Sequence, residues 1–233
     1  MKILFVSTKK NSDPTERELY EMDLMNEVLG FKRSLLDLGL LTAVACTPKH
    51  HEVKVQDEYL APLDFDEPCD LVALSAKTSC SIHAYEVAAE FQKRGRKVVL
   101  GGIHASLRPE EALERVDYIV TGEAEEVWPK MLADFENGEA RRHYDSGGFP
   151  AMDRIPPPSL ANLEPAEFLL HQLQTTRGCP FKCRFCSVPD ISGQAFRFKP
   201  VDRVIEEIRA LPRRSRMVER MKALYIVDDN FIS

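Results

Sequence analysis

Short apolar runs and amphipathic stretches alternate along the first 138 residues. "KILFVS" (2–7), "DLVALSA" (70–76), "KVVLGG" (97–102) and "DYIVTG" (117–122) are apolar runs bounded by polar positions, the pattern of buried strands. "HEVKVQ" (51–56) alternates apolar and polar and predicts a further strand. Between them the apolar positions move to helical spacing. Residues 24–46 predict a long helix with a break at Gly39, and "AYEVAAEFQKRG" (84–95) predicts one closed by Gly95. "PEEALERV" (109–116) opens on a proline suited to a first helical position, and 123–138 predicts a helix that Pro129 kinks or shifts. Strand–helix alternation of this kind gives a flavodoxin-like, doubly wound parallel α/β sheet. Ligands of such sheets bind at the carboxyl ends of the strands. The loops of interest are therefore 7–15, 76–83, 101–108 and 121–126.

The pattern changes at 139–168, where Pro150, Pro156, Pro157, Pro158 and Pro165 predict a stiff, partly extended linker. A second unit, 169–233, begins with a strand over "HQLQTTRG" (171–178). It continues through a cysteine loop to a helix at 199–211, whose apolar positions are Val201, Val204, Ile205, Ile208 and Leu211. "ALYIVDD" (223–229) predicts the next strand. One strand–loop–helix–strand unit is too little to cover both of its own faces. The expectation is that these are the first elements of a larger barrel continuing past Ser233.

Composition narrows the function classes. Of 233 residues, 44% are hydrophobic and 29% charged, as in chains that bury a core. A net charge of −6 argues against nucleic acid as a partner, since phosphate binding needs a dominant basic surface. No apolar run is long enough for a membrane span, and "MKILFVSTKK" is too short to read as a signal peptide. Six cysteines in this setting point to a reducing, cytoplasmic compartment, where clustered thiols serve metals or redox chemistry more often than disulfides.

Three of the six stand together in "CPFKCRFC" (179–186), as Cys179, Cys183 and Cys186. A closed structural site needs a fourth ligand, yet residues 187–233 hold neither cysteine nor histidine. Three thiolates alone would leave one iron of a [4Fe–4S] cluster open to a small molecule. A zinc site completed by His171 on the preceding strand is the alternative. Phe185 could flank a planar ring at the open iron or pack within the loop. Cys46, Cys69 and Cys80 lie among apolar elements and read as small buried residues.

In the first unit, Gly101-Gly102 and Gly122-Glu123 follow two successive strands. Glycine lets backbone N–H groups come close to a bulky or anionic ligand. Ser75 and Thr78 could offer hydroxyls to the same ligand. His104 reads equally as a ligand contact or as a loop histidine satisfied by hydrogen bonds.

"TTRGCPFKCRFCSV" resembles the radical S-adenosylmethionine (SAM) signature. "GQAFRFKPVDRVIEEI" and "YIVDDNF" resemble the cobalamin-binding subgroup of those proteins, as do "VVLGGIHASLRPEEAL", "YIVTGEAEEVWPKML" and the layout of 1–138. The resemblance implies a cobalamin-binding-type sheet followed by the first βαβ part of a radical SAM (β/α) barrel. It implies that Cys179, Cys183 and Cys186 ligate a [4Fe–4S] cluster. Phe185, Asp228 and Asp229 would contact SAM, a carboxylate suiting its ammonium. Ser75, Thr78, Gly101, Gly102, His104, Gly122 and Glu123 would line cobalamin. An electron donor such as flavodoxin or ferredoxin and a small-molecule substrate are implied as partners. Methyl transfer to an unactivated carbon or phosphorus is the expected reaction. Cyclisation or rearrangement is a second reading, and a non-catalytic binding module with a zinc-stabilised tail is a third. No catalytic side chain is assigned. Asp-x-His-x-x-Gly, whose histidine ligates cobalt in many cobalamin domains, is absent, and His50, His51 and His83 lack its context. That leaves open a cobalamin without a histidine on cobalt, or a domain that has kept the fold and lost the cofactor.

Overall fold

A computed structural model describes residues 1–9, 35–165, 168, 170–211 and 224–231. The chain divides into two compact units. Of the described residues, the first unit holds 1–9, 37–148 and 158–162, and the second holds the rest.

The first unit is built on a six-stranded sheet in the order β2-β1-β3-β4-β5-β6. Its strands are β1 (Lys2–Ser7), β2 (Glu52–Asp57), β3 (Leu71–Ser75), β4 (Lys97–Gly101), β5 (Tyr118–Thr121) and β6 (His143–Asp145), with every pairing parallel. The 2-1-3-4-5 core is the flavodoxin-like order, which reverses direction between β1 and β3. The apolar runs form the inner strands because both of their faces are covered. Ile3, Leu4, Phe5 and Val6 are all at most 2% exposed.

Alternation along β1 sends Leu4 and Val6 to one face and Phe5 to the other. Leu4 and Val6 share a cluster with Ala84, Val87, Ala88 and Phe91 of helix α2 (Ser81–Lys93). On the other face Phe5 meets the Trp128 ring edge-on at 5.5 Å. Trp128 lies on α5 (Val127–Glu136), and its Nε1–H donates to Thr47 Oγ1 (2.9 Å) just past α1 (Leu38–Cys46). Burying side chains of this size is worth roughly 1.5–3 kcal/mol each.

Several boundaries follow their sequence signals. Gly95 takes φ +75° immediately after α2, and Pro109 is the first residue of α4 (Pro109–Leu113), which follows α3 (Ile103–Leu107). Gly39 lies inside α1, with Asp37 Oδ1 capping the Leu40 N–H (3.0 Å), so the helix is not broken there. Positions 24–34 of the long helix lie outside the described residues. Pro129 shifts the start of α5 to Val127 rather than kinking it. It sits in the first turn, where a missing N–H costs no helical hydrogen bond.

The segment 139–168 is more than a connection. Residues 143–145 form β6, and Tyr144 is 1% exposed with its hydroxyl donating to Asp134 Oδ2 (2.8 Å). Farther on, Asn162 accepts from Val55 N–H (2.7 Å) and donates to Val55 C=O (3.0 Å), docking onto β2. A three-residue strand with one inward side chain leaves no periodicity to read.

In the second unit, β7 (His171–Leu173) pairs in parallel with β10 (Leu224–Ile226), and α7 (Val201–Ala210) lies between them in sequence. The strand read over 171–178 is interrupted. Its second half, β8 (Thr176–Arg177), pairs antiparallel with β9 (Arg197–Phe198). The ribbon thus closes a loop that contains the three cysteines and the short helix α6 (Val188–Ile191). Lys199 and Glu207 form a buried ion pair at 2.6 Å that fixes the entry of α7. No described helix is long and apolar enough to cross a membrane.

Candidate cofactor sites

In the first unit the predicted residues gather at the carboxyl edge of three adjacent strands. Ser75 ends β3, Gly101 ends β4, and Gly122-Glu123 follows β5. The turns are tied to each other. Ala76 N–H donates to Gly101 C=O (3.1 Å), and His104 N–H donates to Ala76 C=O (3.0 Å). Gly102 adopts φ +90°. A Cβ there would stand 3.0 Å from Ala76 N, Ala76 O and Ser75 Oγ, so only glycine lets the β3 and β4 turns approach this closely. Gly122 takes φ +75°, and a Cβ there would meet Ser146 Oγ at 2.1 Å, so that hydroxyl would have to turn away.

Ser106, which the sequence reading did not single out, joins the two glycine turns. Its hydroxyl donates to Gly102 C=O (3.0 Å) and accepts from Gly122 N–H (2.9 Å). The only hint in the sequence is its position four residues after Gly102.

His104 is 4% exposed. Its Nδ1 stands 3.4 Å from Thr78 Oγ1, and its Nε2 stands 3.0 Å from Tyr85 Oη and 3.3 Å from Glu111 Oε1. The ring therefore anchors the β4 turn to the end of β3 and to α2. Burial, reinforced by the Glu111 carboxylate, pushes the Tyr85 hydroxyl up to about 12, so it stays protonated beside the imidazole. Glu123 is buried, and Thr78 is exposed. At the end of β1, beside the β1/β3 reversal, Thr8 Oγ1 is buried with no hydrogen-bond partner among the described residues. A buried hydroxyl without a partner costs roughly 1–3 kcal/mol, so a polar ligand group at this edge would satisfy a standing need.

The second site is a loop held at its ends. Gly178 takes φ +85°, and a Cβ on it would lie 2.2 Å from the Ala195 carbonyl oxygen. Cys179 N–H donates to Gly193 C=O (3.1 Å), and Cys186 N–H donates to Cys183 C=O (3.0 Å). Cys183 is exposed, Cys179 and Cys186 are half-buried, and all three are free thiols. Phe185 is 93% exposed, so it does not pack within the loop.

The two aspartates after β10 point toward this loop's stem. Asp228 accepts from Thr175 N–H (2.6 Å), Thr176 N–H (3.0 Å) and the Thr175 hydroxyl, while Asp229 accepts from Gly178 N–H (2.8 Å). The next residue, Asn230, places its amide 3.7 Å from Cys179 Sγ. An amide N–H directed at a thiolate sulfur is the kind of contact that tunes a cluster. Thr176 Oγ1 is buried without a hydrogen-bond partner among the described residues. The sequence reading placed the aspartates near the site but missed Asn230 and Thr175. Their contacts span some fifty residues and leave no local pattern.

Comparison with known proteins shows the family to which the chain belongs. Residues 39–132, which run from α1 into α5, match the B12 binding domain family. Over 168 residues the chain is 38% identical to the bacteriochlorophyllide d C-8(2)-methyltransferase of Chlorobaculum tepidum, covering 69% of this chain and 37% of that protein. It is 27% identical over 218 residues to the hopanoid C-2 methylase of Rhodopseudomonas palustris, covering 90% of this chain and 39% of that one. The structure of the radical SAM methyltransferase TsrM from Kitasatospora setae, with cobalamin and a [4Fe–4S] cluster bound, has the same fold. It aligns with a TM-score of 0.64 at 18% identity, over 99% of this chain and 49% of that one. The chain thus spans less than half the length of these relatives.

Proposed function

Starting from its kinship with the cobalamin-dependent radical SAM methyltransferases, we propose that this chain holds the two cofactor sites of such an enzyme. The observation that carries the reading is their co-occurrence. One unit offers a glycine-built carboxyl edge within a B12 binding domain, and the other offers a Cys-x3-Cys-x2-Cys loop at the start of a βαβ unit.

Both sites fit their groups. Three free thiols on eight residues, one of them exposed, match a cluster that keeps one iron open. The orphaned Thr8 hydroxyl and the close-set glycine turns match a large polar ligand. Cys179, Cys183 and Cys186 would hold the cluster, and the Ser75, Gly101, Gly102 and Gly122 turns would face the corrinoid. When bound, the cluster supplies the electron that cleaves SAM and the corrinoid supplies the methyl group.

The chain's own contribution is positioning. Asp228 and Asp229 fix the backbone from Thr175 to Gly178, which sets where Cys179 begins. Their carboxylates act on the site through that stem, and the same negative charge favours an ammonium nearby. Phe185, exposed beside Cys186, is free to lie against an adenine ring. His104 acts through the loop it anchors. The activities for which those two relatives are named favour methyl transfer to carbon over phosphorus or a rearrangement. The substrate is a small molecule.

Anaerobic reconstitution tests the proposal. The expected result is about four irons per chain with matching sulfide, a corrinoid absorbance, and 5′-deoxyadenosine formed from SAM. An intact cluster with no SAM cleavage would overturn the radical reading. One zinc per chain and no iron would favour the zinc-stabilised module. A product heavier by one carbon separates methylation from rearrangement.

A further inference from the structure

At the opposite edge of the first unit's sheet, three potential ligands converge that the cofactor chemistry does not use. His50 and His51 lie in the turn before β2, and Glu136 is the last residue of α5. His50 Nε2 stands 3.3 Å from Glu136 Oε2, and His51 Nδ1 stands 3.5 Å from Glu136 Oε1. All the donor atoms lie within 4.8 Å of one another. The two imidazoles are stacked at a tilt, with centroids 4.0 Å apart.

The side chain of His51 is 1% exposed, yet its Nδ1 has no hydrogen-bond partner among the described residues. It faces the Glu136 carboxylate at a distance and angle that make no hydrogen bond. An imidazole nitrogen buried and directed at a carboxylate without bonding to it is a group awaiting a third atom between them. We propose that His50, His51 and Glu136 form a binding site for a zinc-class divalent cation, with water completing the coordination.

The spacing suits that ion. Zinc binds histidine nitrogen and carboxylate oxygen at about 2.0–2.2 Å, which places two ligands of one tetrahedral ion about 3.3 Å apart. Two histidines and one carboxylate are a donor set that zinc shares with its first-row neighbours and that magnesium and calcium disfavour. His50 is 62% exposed and Glu136 34% exposed, so the site opens to solvent on one side and an ion can enter. The Met1 ammonium also lies 3.9 Å from Glu136 Oε1 and is the counter-charge the ion would displace. A bound cation would staple the entrance of β2 to the end of α5. His50 and Glu136 lie 86 positions apart in sequence, and binding only to the folded state would raise stability.

The test is a zinc titration of the full chain carrying Cys179→Ser, Cys183→Ser and Cys186→Ser, so that no thiolate of that loop competes. The parent is expected to bind one zinc, with a higher thermal midpoint in zinc and none of this effect in magnesium. Cobalt in place of zinc should give tetrahedral d–d bands without a thiolate charge-transfer band. His50→Ala and Glu136→Gln should each weaken zinc binding by at least about 10-fold, the loss expected even for groups that only support a ligand. Because His50 is exposed, its replacement leaves the fold intact where His51→Ala could disturb it. No zinc bound by the parent, a thiolate band with cobalt, or unchanged binding in His50→Ala and Glu136→Gln would each overturn the site.

Discussion

The two candidate cofactor regions are built on opposite plans. At the sheet edge, buried groups hold the loops. Gly102 and Gly122 are pinned through Ser106, and His104 locks the β4 turn onto Thr78, Tyr85 and the β3 turn. At the cysteine loop only the stem is fixed, by Asp228 and Asp229, while Cys183 and Phe185 stand in solvent. Strands of two or three residues carry that loop, against strands of four to six across most of the sheet. The difference teaches where each site's order comes from. Backbone-built sites inherit rigidity from an apolar core, whereas thiolate sites gain it from the metal they bind.

The largest effect expected from this contrast is that of Cys183→Ala. Iron per reconstituted chain should fall from about four to near zero, while the thermal midpoint of the sheet unit stays put. A variant that still holds a full cluster would break the comparison at its cysteine half.

A matched pair of glycine changes sharpens the same contrast. Gly122→Ala forces a Cβ into Ser146 Oγ at a φ of +75°. It should cost about 2–3 kcal/mol of global stability in denaturant unfolding. Gly178→Ala meets the Ala195 carbonyl at 2.2 Å, yet it should register chiefly as lost cluster occupancy. Equal losses of global stability from both would show that the two regions share one level of rigidity.

The smallest expected effect concerns the sheet itself, at the start of β5. Burial pushes the Asp117 carboxyl up, but hydrogen bonds from Lys97, Gln92 and the Val98 N–H outweigh it and hold the group below its usual range. A carboxylate with a depressed folded pKa stabilises above its unfolded value, near 4, and loses that contribution as pH falls through the folded value. Asp117→Asn should therefore cost about 1 kcal/mol at pH 7. The gap from the parent should shrink as pH drops below about 4. Thermal midpoints of both proteins from pH 7 to pH 3 check this.

Much of the sheet was legible because continuous apolar runs such as 3–6 and 71–74 bury on both faces and admit few alternatives. Gly95 and Pro109 marked helix boundaries through backbone geometry alone. β6 escaped because one buried tyrosine in a three-residue strand makes no pattern. The strand over 171–178 divided because β9, more than twenty residues on, captured its second half. At the sites, spacing found the cysteines and glycines, which work by being close in sequence. Ser106, Thr8 and Asn230 escaped because their roles arise only when distant turns meet.

The central claim is that the sheet edge is a cofactor site already built before the cluster arrives. A spectral titration of hydroxocobalamin into the iron-free chain tests it most directly, with Gly102→Val alongside. The account predicts one corrinoid per chain for the parent and weakened binding for the variant, whose side chain would press the Ser75–Ala76 turn away from β4. No corrinoid bound by the parent, or equal binding by Gly102→Val, would contradict it.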